Sequence, residues 1–273
     1  MYVNPVTSQF SVRTFVGICI LLALLALFFV QNRVAVSTWW WNTTHTLPEV
    51  VLFVSQDTSL GLEMAAYYFD VGWMQEAYDI NRAERLYDRI HSLDPTIAWV
   101  WYQKGRMAFL RGDYEQSLEY LTIYQAASTE VWPQGLYLRG VVQGFAGQPE
   151  AALETLLTYY EYDNASWYIY NNLAWTYFQL GQFDDMNTIS AVGLELHPNN
   201  PWLLMNRSLA LYNLGKVEQA KTFINQSYEQ AVQLSQSDWS TTYPGNDPAI
   251  ASMGLTEFLS VVEANRSLIN MAE

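Results

Sequence analysis

Cysteine is nearly missing from this 273-residue chain. The one present, Cys19, has no partner, so no disulfide framework exists and no paired-cysteine metal site can form. Lysine is scarce too. Three lysines and ten arginines stand against 27 acidic residues, for a net charge of −14. Nucleic-acid binding needs clustered Lys and Arg to displace phosphate counterions, and that resource is absent. The same shortage argues against a basic patch for an anionic membrane surface. His45, His91 and His197 lie far apart, none at metal-ligand spacing. There is no G-x-S-x-G, no phosphate-binding P-loop and no G-x-G-x-x-G. We therefore expect no catalytic residues, no metal and no cofactor. Hydrophobic residues are plentiful: they make up 51% and aromatics 15%, enough for a sizeable core.

Charge is missing altogether from Thr14 to Asn32. Those 19 residues would make roughly 28 Å of helix at about 1.5 Å per residue, close to a hydrocarbon core of about 30 Å. Arg13 and Arg33 flank the run and can reach the headgroups. A single permanent transmembrane helix is the expectation, within an N-terminal segment 1–33. A cleaved signal peptide is the competing reading. Against it, Arg33 stands where a cleavage region should be neutral, and Ala35–Val36–Ser37 is a weak cleavage site. One arginine on each side leaves the positive-inside count nearly tied. The long exit without Lys or Arg, up to Arg82, favours a body outside the cytoplasm. Of five Asn-x-Ser/Thr sequons, those at Asn206 and Asn225 fall on expected helices, where glycosylation does not fit.

Residues 34–57 form a Trp-rich juxtamembrane segment. VAVSTWWW and LPEVVLFV are β-rich runs separated by NTTHT, and they can pair as a hairpin. Trp39, Trp40 and Trp41 are candidates for the membrane interface, where indoles prefer to sit.

The body, residues 58–233, is periodic. In YNNLAWTYFQLGQFDDMNTISAVGLELHP, Tyr170, Leu173, Ala174 and Tyr177 mark one stripe of a helix. Gly181 supplies the left-handed residue that reverses the chain, and Pro198 ends the second helix. The reversing glycine recurs at Gly112, Gly147, Gly181 and Gly215, at intervals of 35, 34 and 34 residues. Around it recur Trp101, Gly105, Ala108, Tyr114, Ser117 and Leu121; then Leu136, Gly140, Ala152 and Leu156; then Leu204, Ser208, Leu211, Val217 and Ala220. An earlier, divergent unit keeps Ala83, Tyr87, Ile90 and Pro95 but has Val71 and Tyr78 in place of the small residue and the glycine. Residues 234–273 are a linker and a capping helix, with Asp247 as N-cap before Pro248.

A helix–turn–helix unit of about 34 residues resembles the tetratricopeptide repeat. The resemblance spans about residues 64–232, as four clear repeats and one divergent one. It implies an all-α, right-handed α-solenoid preceded by the single transmembrane helix. It also implies that the first helices line a concave groove that binds protein partners. By position, that groove would present Trp99, Tyr102, Arg106 and Phe109; then Tyr137, Val141 and Phe145; then Tyr168, Asn171, Asn172, Trp175 and Phe178; then Trp202, Met205, Asn206, Leu209 and Tyr212. Asparagine at the place of Asn172 and Asn206 can hold a peptide backbone in the family. The Lys/Arg/Asn set that clamps a terminal carboxylate is absent. The expected function is a membrane-anchored interaction scaffold or assembly factor for a membrane or envelope complex. The alternative is a permanent structural subunit of such a complex. The other open alternative is self-burial, in which the chain's own segments cover the aromatic face.

Overall fold

The computed structural model describes residues 12–71, 76–128, 133–242 and 248–272, and among them every regular element is an α-helix. They divide into two compact units, one up to Met64 and one from Ala65.

The first unit holds α1 (Val12–Gln31), α2 (Arg33–Thr44), α3 (Pro48–Ser55) and the start of α4 (Thr58–Phe69). Asn32 breaks the chain between α1 and α2. Its amide donates to the carbonyl of Phe28 at 2.8 Å, and the helices on either side meet at a bend of 75°. Among the described residues, no single helix is long and apolar enough to cross a membrane by itself, although the bent pair α1–α2 has the length and composition together. The hairpin expected from VAVSTWWW and LPEVVLFV is not formed, because both runs are helical. The reason is local: Thr43 and Thr44 donate to the carbonyls of Trp39 and Trp40 (2.7 and 2.9 Å), and α2 packs against α3. β-Branched composition is a weak preference that such contacts override. His45 and Leu47 take left-handed angles to make the tight corner, and Pro48 opens α3.

The second unit is a succession of helix pairs. After α4 come α5 (Ile80–Leu93), α6 (Trp99–Leu110) with α7 (Tyr114–Ala127), α8 (Pro133–Phe145) with α9 (Pro149–Tyr160), α10 (Trp167–Gln179) with α11 (Phe183–Leu196), and α12 (Pro201–Asn213) with α13 (Val217–Ala231). Each helix from α5 to α13 packs on the next, and α6, α8, α10 and α12 also touch in series. Then α14 (Gln236–Thr242) and α15 (Pro248–Met271) follow, with α15 lying on α13. The N-cap expected at Asp247 lies outside the described residues.

The turns explain the regular spacing. Gly112, Gly147, Gly181 and Gly215 have φ between +69° and +78°, where a Cβ would be costly. After each, the next N–H reaches back to close the helix: Asp113 to Ala108, Gln148 to Gln143, Gln182 to Tyr177 and Lys216 to Leu211. This is the closing bond of a Schellman motif. Between the two helices of a pair, small residues allow close approach. A Cβ on Gly140 would lie 2.7 Å from Leu156 Cγ. In the first full pair the Ser117 hydroxyl donates to the Gly105 carbonyl at 2.8 Å, and in the last the Ser208 hydroxyl donates to the Ala220 carbonyl at 2.7 Å. Leu156, Ile169, Tyr170, Leu173, Leu203 and Leu204 make the central core between pairs.

Candidate functional site: the first-helix face

The helices α6, α8, α10 and α12 contain no acidic residue, although the chain has 27. Their four cations are engaged by neighbours. Lys104 donates to Asp88 at 2.6 Å, Arg106 pairs with Asp70, Arg139 donates to Gln125 at 2.6 Å, and Arg207 lies over the Phe223 ring at 4.5 Å. What the series offers is therefore aromatic and amide chemistry, with two of its four cations neutralised by Asp88 and Asp70.

Three rings form a ladder across successive first helices. Phe109 meets Phe145 at 5.4 Å between ring centres, and Phe145 meets Trp175 at 5.0 Å. Phe145 is 49% exposed, and Phe178 beyond Trp175 is 41% exposed. Gly144 creates the room, since a Cβ there would lie 2.6 Å from the Trp175 ring. Trp99 stacks on Tyr102 at 4.5 Å. Tyr137 packs edge-on against Tyr168 at 4.9 Å.

Side-chain amides tie the same helices together. Asn172 donates to the Tyr137 hydroxyl at 2.8 Å, Asn206 to Asn171 Oδ1 at 2.9 Å, and Gln179 to the Gly144 carbonyl at 3.3 Å. Gln103 donates to Asp70 at 3.1 Å. The NH2 groups of Asn172 and Asn206, expected to hold a peptide, are thus directed at neighbouring helices.

The candidate residues separate into groups. Phe109 and Trp175 come together with Phe145, Phe178 meets Phe183 at 6.0 Å, and Trp99 and Tyr102 form their own stack one pair earlier. At the other end the expectation needs correction. Trp202 and Asn206 are buried rather than presented. Trp202 is stacked between Trp167 (4.8 Å) on one side and Phe258 (4.8 Å) and Trp239 (5.9 Å) on the other. Met205 and Tyr212 pack around buried Leu211 and Ile269. The chain's own C-terminal helices cover this end, so self-burial holds there. The buried sequon Asn206 is bonded to Asn171, and Asn225 accepts from Arg266 Nε at 2.9 Å. Both side chains are occupied within the fold.

Asp163, just before α10, organises a polar node that sequence reading missed. The hydroxyls of Tyr168 and Tyr159 donate to one carboxylate oxygen (2.8 and 3.2 Å), and the amides of Ala165 and Ser166 donate to the other (3.0 and 3.1 Å). Partial burial opposes its ionisation, but hydrogen bonds from Ser166, Tyr168 and the Ala165 amide outweigh that and hold the carboxyl down at about 2. Tyr159 is pushed well above the usual phenol range by burial, then by Tyr168 and Asp163. Its position between two tyrosines of different helices was the available signal.

Of the interface candidates, Trp39 and Trp40 are exposed, as is Arg33, but Trp41 is wholly buried. Trp41 is corrected from a headgroup contact to a core residue of its unit. Arg13 falls on α1, with its side chain outside the described residues.

The architecture is that of a tetratricopeptide-type stack of helix pairs. Residues 133–157, covering α8 and most of α9, match the tetratricopeptide repeat family model. No curated protein sequence matches the chain. Among solved structures, the chain is similar to YrrB, described as a TPR protein with an unusual peptide-binding site: 17% identity, 68% of this chain and 92% of that one covered, TM-score 0.54. It is also similar to MamA from Desulfovibrio magneticus RS-1, with 15% identity, 65% and 97% covered and TM-score 0.57. A further MamA structure matches at 16% identity, 59% and 92% covered and TM-score 0.52. At these identities the likeness speaks to the fold.

Proposed function

We propose that the chain is a membrane-anchored interaction scaffold that docks an apolar protein segment on its first-helix face. The observation that carries this is the ladder Phe109–Phe145–Trp175 on helices without a single carboxylate, with Phe178 also exposed on the helix of Trp175. Exposed aromatics backed by packed neighbours are the chemistry of interface hot spots, and left bare they would be an aggregation hazard. The peptide-binding site named for YrrB is consistent with such a face. The engaged cations argue against a partner held by its terminal carboxylate.

The anchor in this reading is α1, and its role is to confine the scaffold to one bilayer and raise its local concentration there. The lack of Lys and Arg between Arg33 and Arg82 favours a body outside the cytoplasm, in which case the partner is a membrane or envelope protein. The decisive experiment is a Phe145→Ala/Phe178→Ala double variant of the full chain, purified from solubilised membranes. We expect loss of the protein that is cross-linked to the wild type before solubilisation, with helical content unchanged. An unchanged partner set would refute the face.

A second reading, a permanent subunit of a membrane complex, has its own observation. Met253, Val261, Leu268 and Met271 are exposed along α15, at spacings that fall on one side of a helix. A permanent subunit would stay with its complex through mild-detergent purification, whereas an assembly factor would not.

A further inference from the structure

The α2–α3 pair leaves much of its apolar surface outside while burying two serines. Ser37 and Ser55 are buried with Trp41, Val51 and Leu52, while Val34, Trp39, Trp40, Leu47, Val50 and Phe53 face outward. Trp39 is 63% and Phe53 66% exposed. In water, large apolar groups belong inside and small hydroxyls cost little outside. Between Arg33 and Asp57 the only charged residue is Glu49. The hydroxyls of Thr43 and Thr44 and the amide of Asn32 donate to carbonyls four residues back. Exposed threonines of the repeat unit, such as Thr122 and Thr188, do the same, so these bonds are compatible with lipid without requiring it.

We infer that α2 and α3 form an in-plane membrane hairpin, with their outward apolar face set into the headgroup–acyl boundary of a lipid bilayer. This rests on reading α1 as the anchor. In this reading the uncharged run Thr14–Asn32 is the span and ends at the break, although the described part of α1 taken alone falls short of a span. Its described side chains from Phe15 to Val30 are all exposed. A helix that leaves such a span at 75° runs nearly parallel to the bilayer surface. It then carries Trp39 and Trp40 at the depth where indoles partition. The left-handed corner at His45 and Leu47 returns the chain as α3, which adds Val50 and Phe53 to the same medium. Lipid is the occupant because the surface continues directly from α1 and is almost uncharged. Binding therefore comes from apolar burial and does not depend on anionic headgroups.

The test uses the full chain, with Cys19→Ser removing the one native thiol. Nitroxide labels are placed singly at Trp39→Cys, Leu47→Cys and Val50→Cys, at Ile20→Cys within α1, and at Tyr162→Cys, which is exposed in the repeat unit. The protein is reconstituted in phosphatidylcholine bilayers. Collision rates with oxygen, which concentrates in lipid, and with a water-soluble nickel chelate are then compared. We expect the oxygen-to-nickel ratio at Trp39, Leu47 and Val50 to be severalfold above that at Tyr162, and to be unchanged by added salt. Ratios equal to Tyr162 at these three sites, with Ile20 in lipid, would overturn the hairpin and leave the anchor standing. A ratio at Ile20 equal to that at Tyr162 would overturn the anchor and the hairpin with it. Labels shielded from both reagents would mean that protein covers the face, which also overturns the inference. Three independent surface positions keep the test decisive if one variant misfolds.

Discussion

In the repeat unit Leu173, Ile169 and Leu203 are fully buried, and of the exposed aromatics Phe145 belongs to a ladder across the first helices. In the first unit the serines are inside, and Trp39, Val50 and Phe53 are outside. Both units are built from amphipathic or apolar helices of ordinary length. The contrast teaches that helix formation is common to the two, while the share of large apolar side chains left outside differs. One unit is organised by transfer of apolar area out of water. The other buries Trp41, Val51 and Leu52 but leaves Trp39, Leu47, Val50 and Phe53 outside, which is the area the proposed lipid contact would cover.

The comparison is broken most strongly in α1. Leu22→Arg with Leu25→Arg adds about 2.5–3.5 kcal/mol per arginine to membrane insertion. We expect the protein to move from the membrane pellet to the carbonate-wash supernatant, with the thermal transition of the repeat unit unchanged. Retention in the pellet would remove α1 from the anchoring role. The reciprocal change, Leu173→Ala, opens a cavity in the repeat core and should cost about 2–5 kcal/mol. Thermal melting would report it, and membrane association should persist.

The smallest effect concerns Asp163. Its folded pKa, about 2, lies below the reference value of 3.8. The ionised carboxylate therefore contributes stability that is fully present above about pH 4 and is lost as pH falls through about 2. Solvent screening keeps this to a fraction of a kcal/mol. Melting temperature should decline over that window in the wild type and more gently in Asp163→Asn. An identical decline in both would assign the acid sensitivity to other carboxylates.

The repeat unit was the more legible of the two. Glycine is nearly obligatory at a left-handed turn, so four of them at constant spacing announce four helix pairs, and the stripe through Leu173, Ala174 and Tyr177 gives the phase. What failed was whatever depended on distant partners. Trp202 reads as an open-face residue until Trp239 and Phe258, 37 and 56 residues later, close over it. Asp70 lies in the divergent unit, where no register shows that it will meet Gln103 and Arg106. In the first unit, three adjacent tryptophans look equivalent. Once the run is helical they point 100° apart, and Trp41 alone turns inward. A strand reading would have grouped Trp39 with Trp41.

The exchange of donor and acceptor between Ser117–Gly105 and Ser208–Ala220 means that these helices are not interchangeable bricks. A chimera joining α6 to α13 would bring glycine against alanine and lose the hydroxyl. One joining α12 to α7 would crowd two hydroxyls into a seam cut for one. Each duplex carries its own half of a lock, so a shuffled or shortened array has to be cut between duplexes and never through one.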